Sequence, residues 1–343
     1  MKKKICMIAA VALMLALGLT GCGNKINMDR TAAVLDDTKI PLGEVNLLLR
    51  YQQANMDSSY SGMFGVDSIY ASDITGTGII YGETAKEQLM AQFKTLYVLE
   101  AEAENYGVSL TDQEKAAITE AAKLFMEENS SEEVRQVISA TQENMEHILT
   151  LFTIQDKMYD ALTADVDTVI EDEESYVHKK ITYIHTSTRN DDSSEMTDEE
   201  KAEKKELAQS MLDSVKAGKE LGEVAKENDL ETYSITFCGT EASASVPEDV
   251  LVAADELAEG EFSEVIETDN GYFVVRMDSL RDEDATAEAI EEVIDARRDT
   301  LYSEKVAELE AAHTFTTKTG ALTQLTFDRV ITLKYEVEET TEE

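Results

Sequence analysis

Leu257-Ala258-Glu259-Gly260-Glu261-Phe262-Ser263, followed closely by Thr268-Asp269-Asn270-Gly271-Tyr272-Phe273, is the stretch on which the reading of this chain turns. Before it, Val246 to Leu257 predicts an apolar helix; after it, the run through Tyr272 to Met277 predicts a strand. Glycine and polar residues between them mark turns. Working outward, Lys180 to Thr186 reads as a strand. Thr197 and Glu200 have capping-box spacing at the head of a helix in which Leu207, Met211 and Val215 lie one turn apart. Tyr233 to Cys238 predicts a further strand. Strand, helix, short helix, strand, helix and two strands make a small α+β domain. The acidic run Glu171-Asp172-Glu173-Glu174 ahead of it resists compaction and marks a linker.

Helix-rich sequence flanks this domain on both sides. Val34 to Ile40 predicts a strand, a tight turn and the start of a second strand, and a helix is expected from Glu44 to about Gln53. Residues 57–82 carry Ser, Gly and Tyr without apolar periodicity and predict an irregular loop. Beyond them, Thr84/Glu87, Thr111/Glu114 and Ser130/Glu133 have the spacing of helix starts. Leu89, Phe93 and Leu96, then Ile118, Ala122 and Phe125, then Ile148, Leu151 and Ile154 form apolar stripes on acidic helices. After the α+β domain, Thr286 to Ala312 predicts a long amphipathic helix, Leu325 to Val337 is strand-like, and residues 336–343 form an acidic tail.

The N-terminus carries three lysines, then an apolar stretch from Ile5 to Leu19, shorter than the ~20 residues a membrane-spanning helix needs. That order reads as a signal peptide, residues 1–21. Leu19-Thr20-Gly21-Cys22 resembles the lipobox of bacterial lipoproteins. The resemblance implies lipidation of Cys22, anchoring to the bacterial cell membrane from the extracytoplasmic side, and a polar tether over 22–29. Of three cysteines, only Cys238 would remain in the folded part without lipid, so no internal disulfide is expected. Cys238 is read as a small packing residue in a strand, and His147 and His313 as surface residues.

With 71 Asp and Glu against 30 Lys and Arg, the formal net charge is −41, which excludes binding through nucleic-acid phosphates. Acidic runs without set ligand spacing are solvated faces, so neither a metal nor a cofactor is expected. No phosphate-binding loop or nucleophile elbow stands out.

The α+β domain resembles the parvulin family of peptidyl-prolyl isomerases, through Ala217 to Ala225, Val246-Pro247-Glu248, and the two stretches quoted at the outset. With its flanking helices the whole chain looks like an extracytoplasmic foldase of the PrsA/SurA type. The resemblance implies an α+β fold in which a helical SurA-N-like chaperone domain (30–172 and 285–335) carries an inserted parvulin-like domain (173–284). It places the family's two histidines at Tyr183 and Phe273 and its Cys or Asp at Ser234, so all three are replaced. Thr268 is retained. His185, two residues beyond Tyr183, falls on the same strand face. The proline pocket would be carried by Val246, Val250, Leu257 and Phe262.

Prolyl isomerisation crosses a barrier of ~18–20 kcal/mol without making a covalent bond, so a dry pocket and one or two donors could still favour the twisted amide. Tyr183 and Ser234 could donate. Two functions follow from the resemblance. One is a membrane-anchored foldase for newly secreted polypeptides, with weakened isomerase activity. The other is a non-enzymatic holdase or assembly factor that uses the parvulin-like domain to bind peptide. Whether it pairs as a homodimer is left open.

Overall fold

The computed structural model describes residues 14–17, 26–190, 192–240 and 246–334. Cys22, the rest of the expected signal peptide and the acidic tail lie outside the described residues; of the leader, the strand β1 (Met14–Leu17) is described and pairs with β9 (Ile331–Lys334). The chain divides into two compact units, Met1–Val166 with Arg298–Glu343, and Asp167–Arg297.

The first unit opens with Ile26 against the core and the Met28 carbonyl accepting from the Gly43 amide, so the expected tether is already docked by these residues. β2 (Thr31–Leu35) and β3 (Thr38–Pro41) form a hairpin whose turn is made by Asp36 in the left-handed region. β8 (Phe315–Thr317) pairs with the other edge of β2, so the C-terminal part of the chain completes this sheet.

α1 (Leu42–Phe64) runs well past the expected end at Gln53 and absorbs the first part of the expected 57–82 loop. The cause is tertiary. Asp57 is fully buried and accepts from the Ile69 and Tyr70 amides, which fixes the helix to the loop that returns over it. α1 then stops at Gly65, whose positive φ caps the last turn.

α2 (Tyr81–Glu102) begins before Thr84, with Ile80 at its N-cap, so the Thr84/Glu87 pair lies within the helix and does not cap it. α3 (Asp112–Glu128) starts at the Thr111/Glu114 capping box. α4 (Glu132–Ile138) is capped by Ser131, one residue later than the Ser130 expected. α5 (Gln142–Leu162) completes the layer. Phe93, Leu96, Phe125, Ile148 and Leu151 from these helices are buried in one core with the α1 leucines. A polar ladder ties the C-terminal segment to α1. Arg50 Nη2 donates to the Thr326 carbonyl at 2.5 Å, Gln53 Nε2 to the Arg329 carbonyl at 2.9 Å, and the Arg50 guanidinium lies 5.2 Å from the Phe327 ring centre.

The histidines read as surface residues are ion-paired instead. His147 lies between Glu44 (3.0 Å) and Glu100 (3.2 Å), and His313 between Asp36 (2.7 Å) and Glu102 (3.0 Å).

The second unit is built on an antiparallel sheet of order β5-β4-β7-β6: β5 (Thr232–Phe237), β4 (Lys179–Ser187), β7 (Gly271–Ser279) and β6 (Ile266–Thr268). Side chains alternate across it. Ile181, Tyr183, Phe273, Val275 and Met277 face α8 (Glu248–Asp255). Ile184, Tyr272 and Val274 face α6 (Asp198–Lys216) and α7 (Leu221–Glu227). The expected capping box at Thr197 and Glu200 starts α6. The acidic residues read as a linker sit within this unit, where Glu173–Tyr176 forms a single 3-10 turn. At the other end of the unit, Arg297 on α9 (Glu283–Ala312) donates to the Asp167 and Val169 carbonyls. This unit is therefore longer at both ends than the 173–284 expected. Cys238 is exposed just beyond β5, with Sγ 3.1 Å from the Ser175 carbonyl, and is not the packing residue expected.

Candidate functional site

The register of the second unit's sheet decides which expected site residues meet. His185 pairs with Phe273 across β4 and β7, and Tyr183 pairs with Val275 on one side and Tyr233 on the other. Directly opposed residues share a face. The rings of Tyr183 and Tyr233 are stacked with centroids 5.6 Å apart, Tyr183 and Phe273 are 5.5 Å apart, and His185 stacks on Phe273 at 4.4 Å. Burial, and to a lesser degree Tyr233, raises the Tyr183 hydroxyl above its ordinary pKa. His185 is half-buried, and burial lowers its pKa against the opposing pull of the Asn270 carbonyl. The ring is neutral at pH 7, and Nε2–H donates to that carbonyl at 3.1 Å.

Thr268 closes the β6–β7 turn. Its hydroxyl donates to the Gly271 carbonyl and accepts from the Asn270 amide. Gly271 has φ 142°, and a side chain there would meet the Thr186 carbonyl oxygen at 2.0 Å and His185 Nε2 at 2.7 Å. Only glycine lets the turn close over the histidine.

Two expected site residues are elsewhere. Ser234 pairs with Thr182, so alternation turns it to the sheet face opposite Tyr183 and Phe273; its hydroxyl donates to the Ile181 carbonyl. Phe262 bridges to Arg276, which also lies on that opposite face, and packs with the α6 and α7 cluster. Val246 and Val250 do pack beneath Phe273 with Leu257 beside them, but they are 1% and 0% exposed. Tyr233 is the member of this face that the sequence reading missed. It lies on a different strand from Tyr183, and only the β4–β5 register brings the two together.

This sheet order, with the two helices on one face and the aromatic cluster with α8 on the other, coincides with a sequence match. Residues 173–295 match the PPIC-type PPIase domain. Within the matched span, Tyr183, Tyr233 and Phe273 form the aromatic face of the sheet, with His185 stacked on Phe273. Among curated proteins none matches the chain. Solved structures are similar at low identity. The foldase protein PrsA from Lactococcus lactis is 16% identical with a TM-score of 0.37, over 85% of this chain and 96% of that one. PrsA from Streptococcus pneumoniae is 17% identical with a TM-score of 0.30, over 70% and 92%. A SurA-like chaperone structure from Campylobacter jejuni is 11% identical with a TM-score of 0.25, over 84% and 98%.

Outside the PPIC-type domain, the helical unit contains a cleft of about 980 Å³ between α1, α3 and α5. That volume is at the upper end of the range of small-ligand sites, roughly 300–1,000 Å³. Leu47, Leu48, Ile148, Leu149 and Phe152 give it an apolar lining, and Tyr106 stands exposed at its edge. Lys157 reaches both Glu114 carboxylate oxygens at 2.9 Å, so the rim's cation is neutralised. Three separated helices build this surface, and no local motif announces it. Among the described residues no group of His, Cys, Asp and Glu is placed to hold a metal, and no helix is long and apolar enough to cross a membrane.

Proposed function

We propose that this chain is an extracytoplasmic folding factor that holds non-native polypeptides in the apolar cleft of its helical unit, with a PPIC-type domain that isomerises prolyl bonds weakly or not at all. The cleft carries the proposal. An open apolar surface of that volume in a chain of net charge −41 offers a seat to greasy segments while the surrounding carboxylates keep the protein soluble. On the PPIC-type side, Val246 and Val250 are buried in the domain's own core, and Phe273 offers no donor to a twisted amide.

Lys2 to Lys4, the apolar Ile5 to Leu19 and Leu19-Thr20-Gly21-Cys22 support a lipid anchor on Cys22. It would hold the cleft at the membrane surface where exported chains emerge. The clients are then unfolded or newly secreted polypeptides.

Two assays on one preparation test the reading: suppression of aggregation of a reduced, unfolded client, and protease-coupled isomerisation of Xaa-Pro peptides. Protection that disappears in Phe152→Glu, with little isomerisation, is the expected result. Isomerisation at the rate of a parvulin with both histidines, or protection that survives Phe152→Glu, would overturn it.

A further inference from the structure

α1 borders a second cleft, of about 440 Å³, on its side facing α2. The chemistry of this cleft differs from the rest of the molecule. Charged residues make up 29% of the chain, yet none of the described residues lining the cleft is charged. Its polar side chains are the carboxamides of Gln52, Asn55, Gln88 and Gln92 and the hydroxyl of Ser59, set among tyrosines that include the exposed Tyr60. Gln52 Nε2 donates to Gln92 Oε1 at 3.1 Å, which links α1 to α2 across the floor. Asn55 and Gln88 are exposed.

A carboxamide presents an acceptor and two donors without charge. This set therefore matches neither an ion nor a purely apolar ligand. It matches a neutral chain of alternating donors and acceptors, which is what a polypeptide backbone in extended form displays. Position supports the same ligand, because Tyr51 lines the apolar cleft and its neighbour Gln52 lines this one. Leu48 and Tyr51 of the first cleft are each followed one turn along α1 by Gln52 and Asn55 of the second.

We propose that the carboxamide cleft is a backbone-binding subsite. It holds the extended continuation of a polypeptide whose apolar side chains occupy the first cleft, by hydrogen bonds from Asn55, Gln88 and Gln92 to main-chain groups. The inference rests on the reading of the apolar cleft given above. Recognition is then divided. The first cleft selects greasy side chains, and the second accepts any sequence that is not yet hydrogen-bonded to itself.

Fluorescence anisotropy with three kinds of labelled peptide tests this on the full chain. One is a short apolar peptide, the second carries an uncharged Gly/Ser extension at one end or the other, and the third carries the same extension with N-methylated amides. One of the two extensions should tighten binding about tenfold, the factor that two net hydrogen bonds supply. N-methylation should remove the gain. The double variant Asn55→Ala/Gln88→Ala should also remove it while binding the short peptide unchanged; both positions are exposed and helical, where alanine is tolerated. Equal affinity for short and extended peptides would overturn the inference, as would a gain that survives N-methylation or the double variant. So would a neutral oligosaccharide that binds the wild type and not the double variant, with no effect of peptide length. Failure of the short peptide to bind at all would defeat the apolar-cleft reading itself, and this one with it.

Discussion

Phe273 lies against the imidazole of His185, centroids 4.4 Å apart and planes 24° from parallel. The histidine of this face therefore packs against a ring that can neither accept nor donate a proton, and its Nε2–H is committed to the Asn270 carbonyl. Removing that ring should cost stability before it costs chemistry. Phe273→Ala is expected to destabilise the PPIC-type domain by about 3 kcal/mol, read from the urea midpoint. Ser234→Ala, on the other face, should leave any measured isomerisation unchanged; a loss there would contradict the register.

His147 gives a pH dependence with a defined sign. Burial alone would lower its pKa, but hydrogen bonds to Glu100 and Glu44 outweigh that and raise it to about 10, from 6.5. A folded-state pKa above the unfolded value contributes stability that is complete below about pH 6.5 and is lost as pH rises toward 10. His147→Leu would leave the buried Glu44 without its cation, at a cost of about 3 kcal/mol at pH 6. The gap between variant and wild type should narrow steadily between pH 7 and 10. A gap constant over that range would contradict the assignment.

The C-terminal segment should come loose when its ladder is cut. Arg50 is buried, which lowers its pKa to about 10, and it holds both the Thr326 carbonyl and the face of Phe327. Arg50→Met is expected to expose Arg329 to trypsin, seen by mass spectrometry as an early cut at that residue. Gly82→Ala should act in the same direction, since its side chain would fall 2.3 Å from the Phe327 ring.

Lipidation has a direct readout. Wild-type chain expressed in a bacterium should sediment with membranes and gain the mass of a diacylglyceryl group on a chain beginning at Cys22. Cys22→Ala should retain the leader and carry no such mass.

Some features of this chain are legible because they are local. Thr111/Glu114 and Thr197/Glu200 cap their helices as their spacing implies, since each capping box is complete within four residues. Thr84 and Ser130 carry the same spacing and do not cap their helices, because packing starts one helix at Tyr81 and the neighbouring Ser131 takes the other cap. α1 outran its expected end because Asp57 is held by amides of a later segment, which no periodicity reports. At the aromatic face, alternation along one strand put His185 beside Tyr183. The position of Ser234 depends on the register between two strands, and there the reading turned to the wrong face. Neither cleft was legible, for each is made by helices distant in sequence.

The hairpin of β2 and β3 is completed by β8, and α1 is strapped by Thr326 and Arg329. The PPIC-type unit, in contrast, is one uninterrupted span, Asp167–Arg297. Because the chain is made from its N-terminus, that span is complete while the helical unit still lacks its third strand and its strap. The surface proposed to shelter other unfinished proteins is thus the last part of this one to close, and until its own C-terminal residues arrive it is itself a client.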